Sequence, residues 1–222
     1  MAQQYTILFD LDGTLVDTAP DLMRAHNHVM KKFGYPTKST DEIRKLVGQG
    51  AGAMLGRSIW GQAKKEFGKV QDQEVKKEMV KDFVDFYGKN IVNESKLIDG
   101  VKEFLIWAKG KKISMGVCTN KQEHLAVDLL KKIGIYDFFE YVAGHNTFEY
   151  CKPDPRHLTS VIEILGGDIN KCLMIGDSET DANAAKNAGI PVILLEDGYT
   201  EKNTTEIYHN HLIKDFIGIE KI

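Results

Sequence analysis

Four short segments of this chain carry polar side chains that could do chemistry together: Asp10 with Asp12, Thr119 with Asn120, Lys152, and Asp177 with Asp181. So many carboxylates repel one another, and an incoming anion, unless something offsets them. A hard cation such as Mg²⁺ would do so, because it takes a few carboxylates, a carbonyl and water in octahedral array, usually beside a substrate phosphate. Asp10 and Asp177 suit that cation, and Lys152 suits the countercharge. Thr119 and the backbone N–H groups following Asp10 and Thr119 would donate to phosphoryl oxygens. Asp10-Leu11-Asp12-Gly13 taken alone also fits a solvated turn; the three later segments are what argue against that.

Placing these residues side by side requires a parallel sheet. Ile7-Leu8-Phe9 is a short apolar run ending at Asp10, as expected of a strand buried on both faces with its C-terminal end at a ligand site. From Gly100 onward strand and helix patterns alternate: a helix over 101–109, a strand over 113–118 ending at Thr119, a helix over about 122–133 closing at Gly134, and a short strand at 141–143. Asp154-Pro155 predicts the next helix, with Asp154 as its cap and Pro155 at the first helical position. A strand at 172–176 ends at Asp177, an Ala-rich helix over 180–188 stops at Gly189, and 191–195 reads as a fifth strand. Past Gly198 the pattern is weakly helical or irregular.

Between the first strand and residue 91 no convincing β-branched run occurs. Leu22, Ala25, Val29 and Phe33 recur at helical spacing before Gly34, Ser39-Thr40-Asp41-Glu42 offers a helix start, and residues 48–56 are dense in glycine. Val75, Met79, Phe83 and Phe86 mark a helix over roughly 72–88. The expected architecture is α/β, a doubly wound, mainly parallel Rossmann-like sheet formed by residues 1–16 and 92–222, with an α-helical insertion over 17–91.

Composition narrows the function classes. The chain has 222 residues, 42% hydrophobic and 27% charged, and 29 basic residues against 32 acidic ones leave a net charge of −3. No global field therefore favours nucleic acid or an anionic membrane. No apolar stretch approaches the roughly 18 residues of a membrane span, and the first residues lack a signal-peptide pattern, so a cytoplasmic protein is expected. Cys118, Cys151 and Cys172 are odd in number and widely spaced, which suits free thiols rather than disulfides or zinc. Cys151, beside Lys152, is where a lowered thiol pKa and oxidant sensing would arise; an inert thiol is the plainer expectation. His209 and His211 read as surface residues, and Asp17 as a brace at the entry to the insertion.

The segments FDLDGT, VCTN, CKPDP and IGDSETD, in this order and spacing, resemble the four motifs of the haloacid dehalogenase superfamily of phosphohydrolases. The helical insertion resembles that superfamily's C1-type cap domain. The resemblance implies that Asp10 is the nucleophile, forming an aspartyl-phosphate, and that Asp12 protonates the leaving alkoxide and then deprotonates the hydrolytic water. It implies Mg²⁺ held by the Asp10 carboxylate, the Asp12 backbone carbonyl and Asp177, with Asp181 holding a coordinated water. Thr119, Asn120 and Lys152 would cradle the phosphoryl group. Metal-free dehalogenases of the superfamily lack an Asp at the position of Asp12, so dehalogenation is not expected.

Within the superfamily, DGTLVDTAPDL and LVGQGAGAMLGRS resemble phosphoglycolate phosphatases, whose cap has a similar V-G-N-G-A stretch with Asn where this chain has Gln49. Gly48, Gln49, Gly50 and Arg57 are therefore candidate specificity residues, with glycine-lined N–H groups able to meet a small acid. The implied substrate is a small phosphate monoester, 2-phosphoglycolate first and pyrophosphate or a sugar phosphate next. A sugar phosphomutase is disfavoured by Leu22, where such enzymes place His. A receiver domain would have neither the insertion nor Asp12, and a silent binding protein would be expected to have lost one of the key positions. The expected assembly is a monomer or homodimer.

Overall fold

The computed structural model describes residues 5–61 and 77–221. Val75 and the start of the helix expected over 72–88 lie outside the described residues. The sheet has β1 (Thr6–Phe9) at its centre, flanked by β4 (Ser114–Cys118) and β6 (Cys172–Gly176). Outward from these lie β5 (Tyr141–Ala143) on one side and β7 (Val192–Leu195) and β8 (His211–Ile213) on the other, giving the order β5-β4-β1-β6-β7-β8. Every neighbouring pair in this sheet is parallel. The chain moves outward from β1 through β4 to β5 and then returns to the other side at β6. That reversal opens a crevice at the strand C-termini.

Strand alternation explains why helices cover both faces. Ile7, Phe9, Ile175, Ile193 and Leu195 pack on one side against α5 (Val101–Gly110) and α6 (Glu123–Ile133), through Phe104, Leu105, Leu129 and Leu130. Leu8, Met174, Val192 and Leu194 point the other way, against α7 (Arg156–Ile164) and α8 (Glu179–Ala188), through Leu158, Val161, Ala182 and Ala185. Phe9 is the anchor of the first layer, its ring 5.8 Å from Phe139 and 6.2 Å from Phe104 in edge contacts. Helix ends follow local chemistry: Gly134 and Gly189 close α6 and α8 in the left-handed conformation.

The insertion contains α1 (Ala19–Phe33), α2 (Thr40–Arg44), α3 (Ala51–Trp60) and α4 (Lys77–Lys89). The helix start read at Ser39 is a full capping box, with the Ser39 hydroxyl accepting from Glu42 N–H and the Glu42 carboxylate accepting from Ser39 N–H. Leu22, Ala25, Val29, Met79, Phe83 and Tyr87 bury the inner faces of α1 and α4, and this apolar cluster runs without a break into the layer around Phe9. The two connections to the sheet are tied together. Strands β2 (Val16–Asp17) and β3 (Lys96–Leu97) form a short antiparallel ribbon, and buried Asp21 accepts from the N–H groups of Asn93, Glu94 and Ser95 at 2.9–3.0 Å and from the Ser95 hydroxyl at 2.7 Å.

Three expectations are corrected. The entry and exit of the insertion contain the β2–β3 ribbon, invisible to a periodicity reading because each strand is only two residues long. The irregular tail contains β8, which completes the sheet beside β7, with Asn210 accepting from Val192 N–H. At α7, Pro155 is the cap residue rather than the first helical one. Asp154 thus stands one residue ahead of the cap, where its carboxylate accepts from Arg156 N–H at 2.9 Å. Among the described residues, no helix is long and apolar enough to cross a membrane.

Candidate active site

The register of three strands assembles the site. Phe9 lies opposite Val117 on β4 and opposite Ile175 on β6, so the residues just beyond these ends, Asp10, Thr119 and Asp177, arrive at one edge. The Asp10 N–H donates to Ile175 O at 2.9 Å, which carries the β1–β6 ladder into the site. Asp10, Asp177 and Asp181 are all buried, with a carboxylate oxygen of each within 4.8 Å of the others.

Two glycines allow this crowding. Gly13 has φ +82°, and a Cβ there would sit 2.2 Å from an Asp177 carboxylate oxygen. A Cβ on Gly198 would sit 1.8 Å from the Asp177 carbonyl oxygen. Around Asp177, Thr14 Oγ1 donates to Oδ1 at 3.1 Å and the Tyr199 N–H donates to Oδ2 at 2.6 Å.

Lys152 reaches in from the segment before α7. Its Nζ is 2.9 Å from Asp10 Oδ1 and 2.6 Å from Asp181 Oδ1. Burial disfavours the ammonium, but the two carboxylates outweigh it and the Lys152 pKa is raised. Burial pushes Asp10 up to about 6, opposed by Lys152 and assisted by Asp181. Asp177 is also pushed well above the ordinary carboxylate range, by burial first and then by Asp181 and Asp10. Carboxylates so placed prefer a proton or a cation. The donor set, carboxylates with a nearby backbone carbonyl, suits Mg²⁺.

The expected residues differ in what they do locally. Asp181 accepts from Lys152 and, through Oδ2, from Asp177 N–H, Ser178 N–H and the Ser178 hydroxyl, so its oxygens cap α8 and position Lys152. Asn120 stands at the wall with its Nδ2 donating to Gly48 O and Lys152 O, both at 2.9 Å. Thr119 lines the cavity, and its hydroxyl accepts from Lys121 N–H at 3.2 Å.

A cavity of about 290 Å³ opens from Asp10, Asp12, Thr119 and Asp177 toward the insertion, where Gly48, Gln49, Gly50, Phe83 and Tyr87 form the far wall. Arg57 does not line this cavity: its guanidinium donates to Leu46 O and Val47 O, bracing the loop ahead of α3. The thiol of Cys151 is raised by burial, contrary to the lowered pKa an oxidant sensor needs, and burial pushes Cys118 up to about 12.

Several residues escaped the sequence reading. Lys121 Nζ contacts both oxygens of Asp12, at 2.7 and 2.8 Å. Thr18 donates to Asp12 Oδ1 at 2.6 Å. Tyr199 accepts from Ala19 N–H at 2.9 Å and donates to Asp17, which also meets Arg44 Nη2 at 2.9 Å. The brace expected at Asp17 therefore joins three parts of the chain. Lys121 had a visible signal, a cation directly after Thr119-Asn120. Tyr199 had none, because only the fold brings it to the site.

Comparison with known proteins agrees with this geometry. Residues 7–195 match the model of the family described as haloacid dehalogenase-like hydrolase. A phosphoglycolate phosphatase of Caulobacter vibrioides is 39% identical over 97% of this chain and 89% of its own length. One from Mesorhizobium japonicum is 37% identical over 95% of this chain and 90% of its own. The crystal structure of a predicted phosphoglycolate phosphatase from Haemophilus somnus superposes with a TM-score of 0.88 at 30% identity, covering 100% of this chain and 98% of that one. Shared fold, shared length and a family match running from β1 through β7 lead to one assignment: the chain belongs to the haloacid dehalogenase-like hydrolases.

Proposed function

We propose that the chain is a Mg²⁺-dependent phosphatase of small organic phosphate monoesters, with 2-phosphoglycolate as its substrate. The observation that carries the reading is the buried cluster of Asp10, Asp177 and Asp181 with Lys152 between Asp10 and Asp181. Similarity to phosphoglycolate phosphatases along nearly the whole chain supports the choice of substrate.

Asp10 attacks phosphorus, forming an O–P bond as the ester P–O bond breaks, and Asp12 gives its proton to the departing alkoxide. In the second half, water attacks the aspartyl-phosphate, its proton passes to Asp12, and the Asp10 carboxylate is released. The Asp10 carboxylate, the Asp12 carbonyl and Asp177 would hold Mg²⁺, which supplies charge neutralisation for the phosphoryl oxygens. Lys152 keeps Asp10 oriented and offsets its charge, and Thr119 donates to the phosphoryl group. Residues 17–91 act as a cap whose closure excludes water; the Asn120–Gly48 hydrogen bond between cap loop and sheet supports that role. The reading places the enzyme in the cytoplasm, which the free thiols of Cys118, Cys151 and Cys172 support.

The test is phosphate release from a panel of 2-phosphoglycolate, pyrophosphate and sugar phosphates, with Mg²⁺ and with chelator. Highest kcat/KM on 2-phosphoglycolate is expected. Full activity in Asp10→Asn, or in excess chelator, would overturn the mechanism, and a higher kcat/KM on a sugar phosphate would overturn the substrate.

A further inference from the structure

A small carboxylated phosphate ester brings two anionic ends into a cavity already walled by Asp10, Asp12 and Asp177. Lys152 is engaged by Asp10 and Asp181 at the back of the site and does not line the cavity, so its charge is spent on the protein's own carboxylates. The carboxylate end needs a cation of its own, since a carboxylate desolvated beside aspartates is strongly disfavoured unless paired. Among the described residues lining the cavity, Lys121 is the one lysine or arginine.

Lys121 has the required position. Its side chain is 5% exposed, and its Nζ touches both oxygens of Asp12. In a monoester with a carboxylate on the carbon next to the ester oxygen, that oxygen faces Asp12 during transfer, and the carboxylate is only two bonds further on. A cation in contact with Asp12 is thus within reach of it. From the cap side, α4 brings Tyr87, whose ring lies 4.6 Å from Lys121 Nζ. The Tyr87 hydroxyl is buried, belongs to a residue lining the same cavity, and has no hydrogen-bond partner among the described residues. A buried hydroxyl is ordinarily paired, so an unpaired one in a cavity wall points to a ligand.

We propose that Lys121, together with the hydroxyl of Tyr87, forms the subsite that receives the carboxylate of an α-carboxylated phosphate monoester. The proposal rests on the phosphatase reading above and deepens it. Lys121 exchanges one carboxylate partner, Asp12, for another, the substrate's, so it is never left as an unpaired buried charge. Because Lys121 follows β4 and Tyr87 lies on α4 of the insertion, a carboxylate held by both ties the insertion to the sheet. A phosphate monoester without the carboxylate would gain neither interaction.

The experiment compares 2-phosphoglycolate with ethyl phosphate, which keeps the two-carbon skeleton and lacks the carboxylate, in wild type, Lys121→Met and Tyr87→Phe. Removing the ammonium or the hydroxyl from the substrate carboxylate is expected to raise KM for 2-phosphoglycolate, roughly 10- to 100-fold for Lys121→Met and several-fold for Tyr87→Phe. KM for ethyl phosphate should stay within about threefold in Tyr87→Phe, whereas in Lys121→Met, which also strips Asp12 of a partner, the rise in KM for 2-phosphoglycolate should exceed any rise for ethyl phosphate by about tenfold or more. Tyr87→Phe deletes a hydroxyl that has no partner among the described residues, so it tests the subsite even if Lys121→Met fails to fold. Retained preference for 2-phosphoglycolate in the folded variants overturns the subsite while leaving the phosphatase intact, and shifts recognition to the loop at Gly48–Gly50. An equal loss on both substrates also overturns it, since it makes Lys121 a partner of Asp12 alone. A wild type that hydrolyses both equally well overturns the substrate reading and the subsite together; no hydrolysis of either, with or without Mg²⁺, overturns the phosphatase itself.

Discussion

The side-chain amide of Asn120, just past β4, donates to the Gly48 carbonyl of the insertion at 2.9 Å, while its second hydrogen meets the carbonyl of Lys152. A single side chain therefore joins the loop ahead of α3 to the segment that delivers Lys152. Replacing Asn120 by Ala leaves both carbonyls without that donor. We expect kcat/KM to fall at least about tenfold, the size of one to two buried hydrogen bonds. Hydrogen exchange should rise selectively at residues 48–54; unchanged exchange there would contradict a latch.

Metal should act on stability as well as turnover. Burial and neighbouring carboxylates push Asp10 and Asp177 up, so keeping both ionised at neutral pH disfavours the metal-free fold, and a ligand bound only by the folded state adds about 2.7 kcal/mol at a hundred times its dissociation constant. Adding Mg²⁺ is expected to raise the Tm of the wild type. In Asp177→Asn the metal-free Tm should be higher than in the wild type, and the Mg²⁺ increment should largely vanish. Calorimetry with and without chelator measures both.

Asp21 clasps the returning strand of the insertion through three N–H groups and the Ser95 hydroxyl. Asp21→Ala leaves the buried Ser95 N–H and hydroxyl without their acceptor, along with the part-buried N–H groups of Asn93 and Glu94, and a loss of about 3–5 kcal/mol is expected in denaturant unfolding. A change below about 1 kcal/mol would mean the clasp is solvated.

His157, fully buried on α7, gives the fold an acid-sensitive point. Burial, and then Lys152, lower its pKa to about 4 from 6.5. The unfolded chain takes up this proton below about 6.5 while the folded one resists until about 4, so stability is intact above that window and falls as pH drops through it. His157→Gln should flatten the slope of unfolding free energy between pH 6.5 and 4, a difference of about 3 kcal/mol at the lower end.

Tyr199 connects Asp177 to the entry of the insertion, its N–H on Asp177 and its hydroxyl between Ala19 N–H and Asp17. Tyr199→Phe keeps the first interaction and deletes the others. We expect about 1–3 kcal/mol of lost stability, together with unchanged Mg²⁺ affinity, measured by Mg²⁺ titration of the Tm. Weakened Mg²⁺ binding would show that the hydroxyl, rather than the backbone, sets Asp177.

The sequence determined the elements and the chemistry they carry. Apolar runs ending in Asp10, Thr119 and Asp177, helices punctuated by Gly134 and Gly189, and a helical stretch after β1 are all local signals, written in spacing and residue type. The sheet order, the strand register and the meeting of distant segments were decided by tertiary packing. β8 pairs with β7 because that edge is available, and nothing in His211-Leu212-Ile213 alone marks a strand. Arg57 reads in sequence as a specificity residue, but its guanidinium donates to the carbonyls of Leu46 and Val47 and does not line the cavity. Lys121 stood in plain view beside Thr119-Asn120, yet its place on Asp12 and under Tyr87 follows from three elements far apart in the chain. Local propensities act over a few residues; contacts separated by a hundred exist only once the chain has closed on itself.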